Sequence, residues 1–198
     1  LKEDRIQSPA KKKEYLNVIV DESQRLTRLV NNVLDFSRLE QGRKQYRIKE
    51  LDMPLFLHEI IDAHLMRLEQ AGLVLIKQIP DSTNKVQTDR DTLEQVLLNL
   101  IDNAIKYAAE GKELKVSLES TAEACRIKVQ DRGPGVPTPH RSKNFDKFHR
   151  VDESLTARQP GSGLGLSIAR RLLRDIGGDL QFEPRPDGGS SFIVIIPL

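Results

Sequence analysis

The chain has 198 residues, with 31 lysines and arginines against 29 aspartates and glutamates and a formal charge of +2. That balance gives no electrostatic reason to propose nucleic acid or an anionic membrane as partner, and no apolar run approaches the roughly 20 residues of a spanning helix. A single cysteine excludes an internal disulfide framework and fits a reducing compartment.

The first residue is Leu1, not methionine, so the chain is expected to be a piece of a longer protein whose preceding part could span a membrane. Ser8-Pro9 is a helix start, with Ser8 as cap and Pro9 in the first helical position. From there to Glu40 the pattern is helical. Leu16, Ile19, Ser23, Leu26, Val30 and Val33 alternate three and four apart in a coiled-coil-like seam, which Leu29, Leu34 and Phe36 widen. Gly42 is the expected stop. So broad an apolar stripe needs a partner helix, and homodimerisation is the simplest way to cover it. Lys11-Lys12-Lys13 reads as a solvated face.

After Arg43 the character changes. Gln45 to Asp52 is expected as a strand, and Pro54 to Gln70 as an amphipathic helix through Leu57, Ile60, Ile61, Leu65 and Leu68. Leu73 to Ile79 and Lys85 to Thr88 read as strands. The next helix carries Leu93, Val96, Leu97, Leu100, Ile101, Ala104 and Ile105 on one face. Leu114, Val116 and Leu118 alternate with polar residues, as do Cys125, Ile127 and Val129, so both segments are half-buried strands. Cys125 reads as a small buried hydrophobe. Val136 to Pro160 is polar, basic and longer than an ordinary connection, which marks either a functional lid or disorder. Ser162 to Ile176 is a further amphipathic helix. Leu180 to Glu183 and Ser191 to Ile196 close the chain as strands around an Asp187-Gly188-Gly189 turn, the last strand being central. Strands backed by helices make an α+β sandwich.

Three groups of residues carry chemistry. Asn99, Asn103 and Lys106 stand at i, i+4 and i+7, opposite the apolar face of their helix. Two neutral amides and a cation suit a metal ion and a polyphosphate: the Asn99 carboxamide oxygen can ligate Mg²⁺, and Lys106 can place a point charge on phosphate. Asp131 ends a strand and begins the turn Asp131-Arg132-Gly133-Pro134-Gly135. A carboxylate there can accept the exocyclic amine of adenine, and Gly133 and Gly135 let backbone approach the base. Gly161-Ser162-Gly163-Leu164-Gly165 opens a helix, so its backbone N–H groups face an anion. Arg150 and Arg158 lie in the lid, within reach of phosphates. His140 and His149 read as exposed polar lid residues. His58 and His64 flank Glu59 but fail the zinc spacing His-Glu-x-x-His, because Asp62 holds the needed position.

These motifs resemble the ATP-binding domain of sensor histidine kinases, in the superfamily that also holds DNA gyrase B, the mismatch-repair ATPases and a heat-shock chaperone. Gln95 to Tyr107 resembles the family's asparagine box, Asp131 to Gly135 its first glycine box, Phe145 to Arg150 its phenylalanine box and Gly161 to Leu166 its second glycine box. Residues 9–42 resemble the second helix of the dimerisation and histidine-phosphotransfer hairpin. The resemblance implies a Bergerat-type fold, a mixed sheet faced by helices with nucleotide under a mobile lid, preceded by a long helix of a truncated dimerisation hairpin. It implies that Asn99 ligates Mg²⁺, Asn103 sits beside the phosphates, Lys106 contacts phosphate, Tyr107 packs near the nucleotide and Asp131 reads adenine. Gly133 and Gly135 would line the base, and Gly161, Ser162, Gly163, Leu164 and Gly165 the phosphate side of the lid. Phe145 and Phe148 would anchor the lid, with Phe148 against the nucleotide, and Arg150 would stabilise charge on the transferred phosphoryl group.

The reading that follows divides the chain into 1–44, a partial dimerisation and histidine-phosphotransfer domain, and 45–198, an ATP-binding catalytic domain. The expected function is that of a protein-histidine kinase using ATP and Mg²⁺. It would pass the γ-phosphoryl group to a histidine for relay to a response regulator. The family's His-Glu-x-x-x-Pro-like phosphoacceptor box is absent from this sequence, so the chain alone is not expected to phosphorylate itself. The expected partners are ATP, a response regulator and a second copy through the N-terminal helix, with no nucleic acid. The expected location is the cytoplasm, with an inner-membrane anchor in the parent as a compatible arrangement. Two alternatives are an anti-sigma-type protein-serine kinase and a non-catalytic nucleotide-binding dimerisation module.

Overall fold

The computed structural model describes residues 8, 11–12, 15–16, 19–20, 23, 27, 30, 34, 37, 39, 41–42, 44–82, 84–108, 111–151 and 163–198. Every described position from 11 to 39 is helical (α1). Its seam residues Leu16, Ile19, Val30 and Leu34 are each about half exposed, while Leu39 is buried with the core of the following domain. Lys11 and Lys12 are exposed, as a solvated face requires. Leu26, Leu29, Val33 and Phe36 lie outside the described residues.

The rest runs β1 (Ile48–Asp52), α2 (Met53–Ala63), α3 (Leu65–Gln70), β2 (Val74–Gln78), β3 (Lys85–Asp89) and α4 (Arg90–Tyr107). It continues through β4 (Glu113–Ser120), β5 (Ala124–Asp131), α5 (Thr138–Arg141), α6 (Gly165–Asp175), β6 (Asp179–Pro184) and β7 (Ser190–Pro197). β1 and β3 form an antiparallel pair. The main sheet has the order β2-β4-β5-β7-β6, parallel between β2 and β4 and antiparallel elsewhere. Helices pack on this mixed sheet, and α4 and α6 lie against one another. The fold is therefore the α+β sandwich expected from the strand and helix periodicities. β7 sits between β5 and β6, and its run from Ser190 to Val194 is buried on both faces, as an interior strand demands.

α4 is set by its cap and its period. Asp89 stands at the N-cap, with Oδ1 accepting from the Thr92 N–H at 2.7 Å and Oδ2 from the Arg47 N–H at 2.5 Å. Burial works against the Asp89 charge, but these bonds outweigh it and hold the carboxyl below its ordinary value. Leu93, Val96, Leu97, Leu100, Ile101 and Ala104 are buried, and Ile105 packs half-buried at their edge. The opposite face is left for polar work.

The stretch from Pro54 to Gln70 is two helices, not the single one its periodicity suggests. The break falls at His64 (φ −110°, ψ 3°), after a helix capped by Asp52. The His64 N–H donates to Ile61 O at 3.1 Å, while its Nδ1 lies 2.9 Å from Ile60 O, the carbonyl that the next α-helical turn would use. The imidazole so displaces one backbone bond, and Leu65 turns out to the surface while Leu68 stays buried. β1 also starts later than expected, at Ile48, because the preceding residues are committed elsewhere. The Lys44 Nζ donates to Gln95 Oε1 at 3.1 Å, and the Tyr46 hydroxyl to Asp175 Oδ2 at 2.8 Å.

The Tyr46 bond joins the chain between α1 and β1 to the end of α6. Burial, and then the Asp175 carboxylate, push the Tyr46 hydroxyl well above its ordinary range. A raised folded value means that this contribution is complete below about pH 10 and is lost only as the pH climbs through the folded value. Tyr46→Phe is expected to cost about 0.5–1.5 kcal/mol at neutral pH, read as a lower urea midpoint at unchanged slope.

Candidate nucleotide site

The polar face of α4 meets two glycine segments. Asn99, Asn103 and Lys106 are half-buried along that face. A Cβ at Gly165, the first residue of α6, would stand 3.2 Å from Asn99 Oδ1. Glycine there keeps bare backbone beside the amide oxygen and leaves room for a ligand to reach it. The helix expected over Ser162 to Ile176 begins only at this residue, and ends at Asp175.

At the far end of α4, Gly133 packs against the last turn. A Cβ there would come 2.7 Å from Tyr107 O and 3.1 Å from Asp131 Oδ1, so any side chain would push the turn off the helix. Asp131 is buried at the end of β5. Its Oδ1 accepts from the Gly133 N–H at 2.8 Å and from the Ser190 N–H at 3.3 Å. Burial raises its carboxyl above the ordinary value, although both backbone bonds, the Arg185 charge and the Ser190 hydroxyl pull the other way. With Oδ1 so used, Oδ2 is the oxygen with capacity for a donor brought by a ligand. Gly135 (φ +71°) faces the β6–β7 turn, where a Cβ would lie 2.9 Å from Gly189 O.

The lid is described as far as Val151. It holds the one-turn helix α5 and a series of tight turns, with Arg141 Nε donating to Val136 O at 2.9 Å. Phe145 is half-buried against the core, and the Arg170 guanidinium lies over its ring at 4.6 Å, itself held by both oxygens of Asp179. The hydrogen bonds from Arg170 hold the Asp179 carboxyl below its ordinary value. Phe148 adopts φ +62°, and its N–H donates to Gly163 O at 3.0 Å, joining the phenylalanine segment to the glycine run. The Phe148 ring is 65% exposed, and Arg150 is exposed too. His140 and His149 are not independent surface residues. Their Nδ1 and Nε2 face each other at 3.1 Å, and both are half-buried. Gly161, Ser162 and Arg158 lie outside the described residues.

Asn99 and Gly165 are thus brought together, as are Tyr107, Gly133 and Asp131, and Phe148 and Gly163. Asn103 and Lys106 share the α4 face with Asn99. Leu164 is buried and caps α6. Ser190, Arg185, Glu113 and Gly189 also converge on Asp131, and sequence reasoning missed all four; the Asp187-Gly188-Gly189 turn was the one local signal.

A polar helix face, a carboxylate at a strand end and glycines where side chains would collide form one connected arrangement, and known proteins are similar in the sequence that builds it. Residues 88–198 match the family described as histidine kinase-, DNA gyrase B-, and HSP90-like ATPase. The chain belongs to this ATPase family. Residues 1–42 match the His kinase A (phospho-acceptor) domain. Among curated relatives of this ATPase, the sensor histidine kinase WalK of Bacillus subtilis is 34% identical over 185 residues, which is 92% of this chain and 30% of WalK. The chain spans about a third of the length of the curated relatives it matches. Two solved structures share its fold. Full-length ShkA in complex with AMPPNP superposes with a TM-score of 0.79 at 25% identity, covering 98% of this chain and 40% of ShkA. Histidine kinase ThkA in complex with response regulator TrrA gives a TM-score of 0.76 at 26% identity, covering 98% and 53%. The chain thus resembles the catalytic region of sensor histidine kinases together with part of their dimerisation domain.

Proposed function

We propose that the chain binds Mg-ATP and supplies the kinase half of a two-component relay, presenting the γ-phosphoryl group to a histidine imidazole from which a response regulator aspartate later takes it. Residues 1–44 form part of the dimerisation and phosphotransfer domain and residues 45–198 the ATP-binding domain. Support for the histidine as acceptor, rather than a serine, comes from the phospho-acceptor domain match over 1–42. The half-exposed seam of α1 supports pairing with a second copy. The activity belongs in the cytoplasm, where ATP is. No helix among the described residues is long and apolar enough to cross a membrane.

Phosphoryl transfer of this kind asks a protein mainly to position groups and neutralise charge. Asp131 Oδ2 accepts the adenine amine, which selects against guanine because that base presents a carbonyl at the same place. Gly133 and Gly135 let the base lie on backbone, and Tyr107 packs beside it. Asn99 Oδ1 is the magnesium ligand, and the metal when bound supplies neutralising charge at the phosphates. Asn103 and Lys106 hold phosphate oxygens from the same face. Gly163, Leu164 and Gly165 bring backbone N–H groups to the phosphates at the start of α6. Phe148 closes over the nucleotide, and Arg150 steadies charge on the group in transfer.

The observation that carries this reading is Asn99 Oδ1 facing the bare Gly165 backbone, an amide oxygen kept open beside a helix start. Calorimetry is expected to show Mg-ATP binding to the chain. Radiolabelled ATP is expected to leave no acid-labile phosphoryl group on it, and to label an added partner domain that carries the phosphoacceptor histidine. No heat of binding with Mg-ATP would overturn the proposal.

A further inference from the structure

Arg185 sits just after β6, 54 residues from Asp131, with only 12% of its side chain exposed. A single nitrogen, Nη1, donates both to the Asp131 backbone carbonyl at 3.1 Å and to Glu113 Oε1 at 3.2 Å. Glu113 opens β4, and its other oxygen accepts from Arg132 Nε at 2.8 Å. Burial works against the Glu113 charge, but the two guanidinium groups outweigh it and hold the carboxyl below its ordinary value. Three chain segments distant in sequence are thereby tied at one end of the sheet: the start of β4, the end of β5 and the β6–β7 hairpin. The tie lands on the residue whose side chain is already held by the Gly133 and Ser190 N–H groups.

Each of these bonds limits a different freedom. The N–H groups of Gly133 and Ser190 fix Oδ1 and so the rotation of the carboxylate. Arg185 fixes the carbonyl of the same residue and so the peptide plane on which that side chain stands. A partly buried guanidinium bonded to a carbonyl costs side-chain freedom and desolvation, and a mere surface turn has no need of it. It sits 54 residues from the group it holds, on the hairpin whose Ser190 and Gly189 also meet the glycine turn.

We propose that Arg185, held in place by Glu113, is a positioning residue for nucleobase recognition, fixing the Asp131 peptide so that Oδ2 meets the exocyclic amine of adenine. The inference rests on the reading of Asp131 as the adenine acceptor. Burial raises the Asp131 carboxyl, and the Arg185 charge, after the Gly133 and Ser190 N–H groups, works against that shift. Glu113 and Arg132 complete the charged cluster.

Calorimetric titration of the chain with ATP and with purine riboside triphosphate, which lacks the exocyclic amine, separates this role from general support of the fold. Arg185→Ala is expected to weaken ATP about tenfold, the scale of one lost hydrogen bond, and the analogue less than about twofold. Glu113→Gln, which keeps the shape and an acceptor, is expected to change the two affinities in the same sense by a smaller factor, and it carries the test if Arg185→Ala does not fold. Asp131→Asn provides the reference. If it weakens ATP and the analogue alike, the adenine reading falls and the inference falls with it. If it discriminates while the Arg185 and Glu113 variants weaken both ligands equally or neither, the positioning role alone is overturned.

Discussion

Asp131→Asn is expected to lose at least about a hundredfold in ATP affinity and, in the same protein without nucleotide, to melt a few degrees higher. The first effect follows from hydrogen-bond polarity. The asparagine oxygen can still accept from the Gly133 and Ser190 N–H groups, so the turn keeps its shape. The position of Oδ2 then holds an NH₂, which points a donor at the adenine amine. A lost charge-assisted bond replaced by two opposed donors is worth several kcal/mol, and about 2.7 kcal/mol already makes a hundredfold. The second effect follows from linkage. Burial raises the Asp131 carboxyl above its ordinary value, so the folded state binds that proton more tightly than the unfolded state does. Stability from this group therefore falls as pH rises from below the unfolded value through the folded one, and the ionised carboxylate carries the cost of its burial. Asparagine removes the charge and with it the cost. A melting curve and a titration on one sample check both halves. A variant that binds ATP normally, or melts lower, would contradict the account. The trade of stability for recognition is the expected sign of a functional carboxylate.

Gly189→Ala is expected to destabilise the fold by at least about 3 kcal/mol, against about 1–2 kcal/mol for Gly188→Ala beside it. Both glycines have positive φ, +99° and +84°, so alanine at either one pays the left-handed backbone penalty. The surroundings make the difference. At Gly188 a Cβ meets nothing within 4 Å. At Gly189 it would fall inside the Asp131 carbonyl oxygen, with the Arg132 Cα close by. That oxygen cannot move aside without breaking its bond from Arg185. The hairpin would have to swing away and take the Ser190 N–H off the Asp131 carboxylate. Nucleotide binding should fail together with stability at Gly189 and survive at Gly188. Chemical denaturation of the two variants, followed by titration with ATP, tests the pair.

These two cases show where sequence reasoning reached and where it stopped. The α4 face was legible because a helix repeats every 3.6 residues: an apolar stripe at Leu93 to Ala104 places Asn99, Asn103 and Lys106 opposite with no knowledge of the rest. The sheet strands were legible in the same way, from alternation at Leu114 to Leu118 and Cys125 to Val129. The His64 break was hidden because it depends on a side chain competing for one carbonyl while the apolar period runs on unchanged. The tie of Arg185 to Glu113 and Asp131 was hidden for a different reason. It joins residues 72 and 54 positions apart, and no local pattern distinguishes such an arginine from a solvated one. The His140–His149 pair is of the same kind at shorter range, set by how the lid turns and not by spacing. Asp187-Gly188-Gly189 was legible as a turn, but not as a turn that closes on the carboxylate.

The bonds of Lys44, Tyr46 and Arg47 grip α4 near its start and α6 at its last residue. Asn99 lies midway along α4, and Gly165 is the first residue of α6. From Asp89 to Asn99, and from Asp175 back to Gly165, each helix runs about 15 Å. A displacement of residues 44–47 would therefore be carried along both helices to the place where Asn99 and Gly165 meet, and a small rotation at the handles would widen or narrow the gap between them.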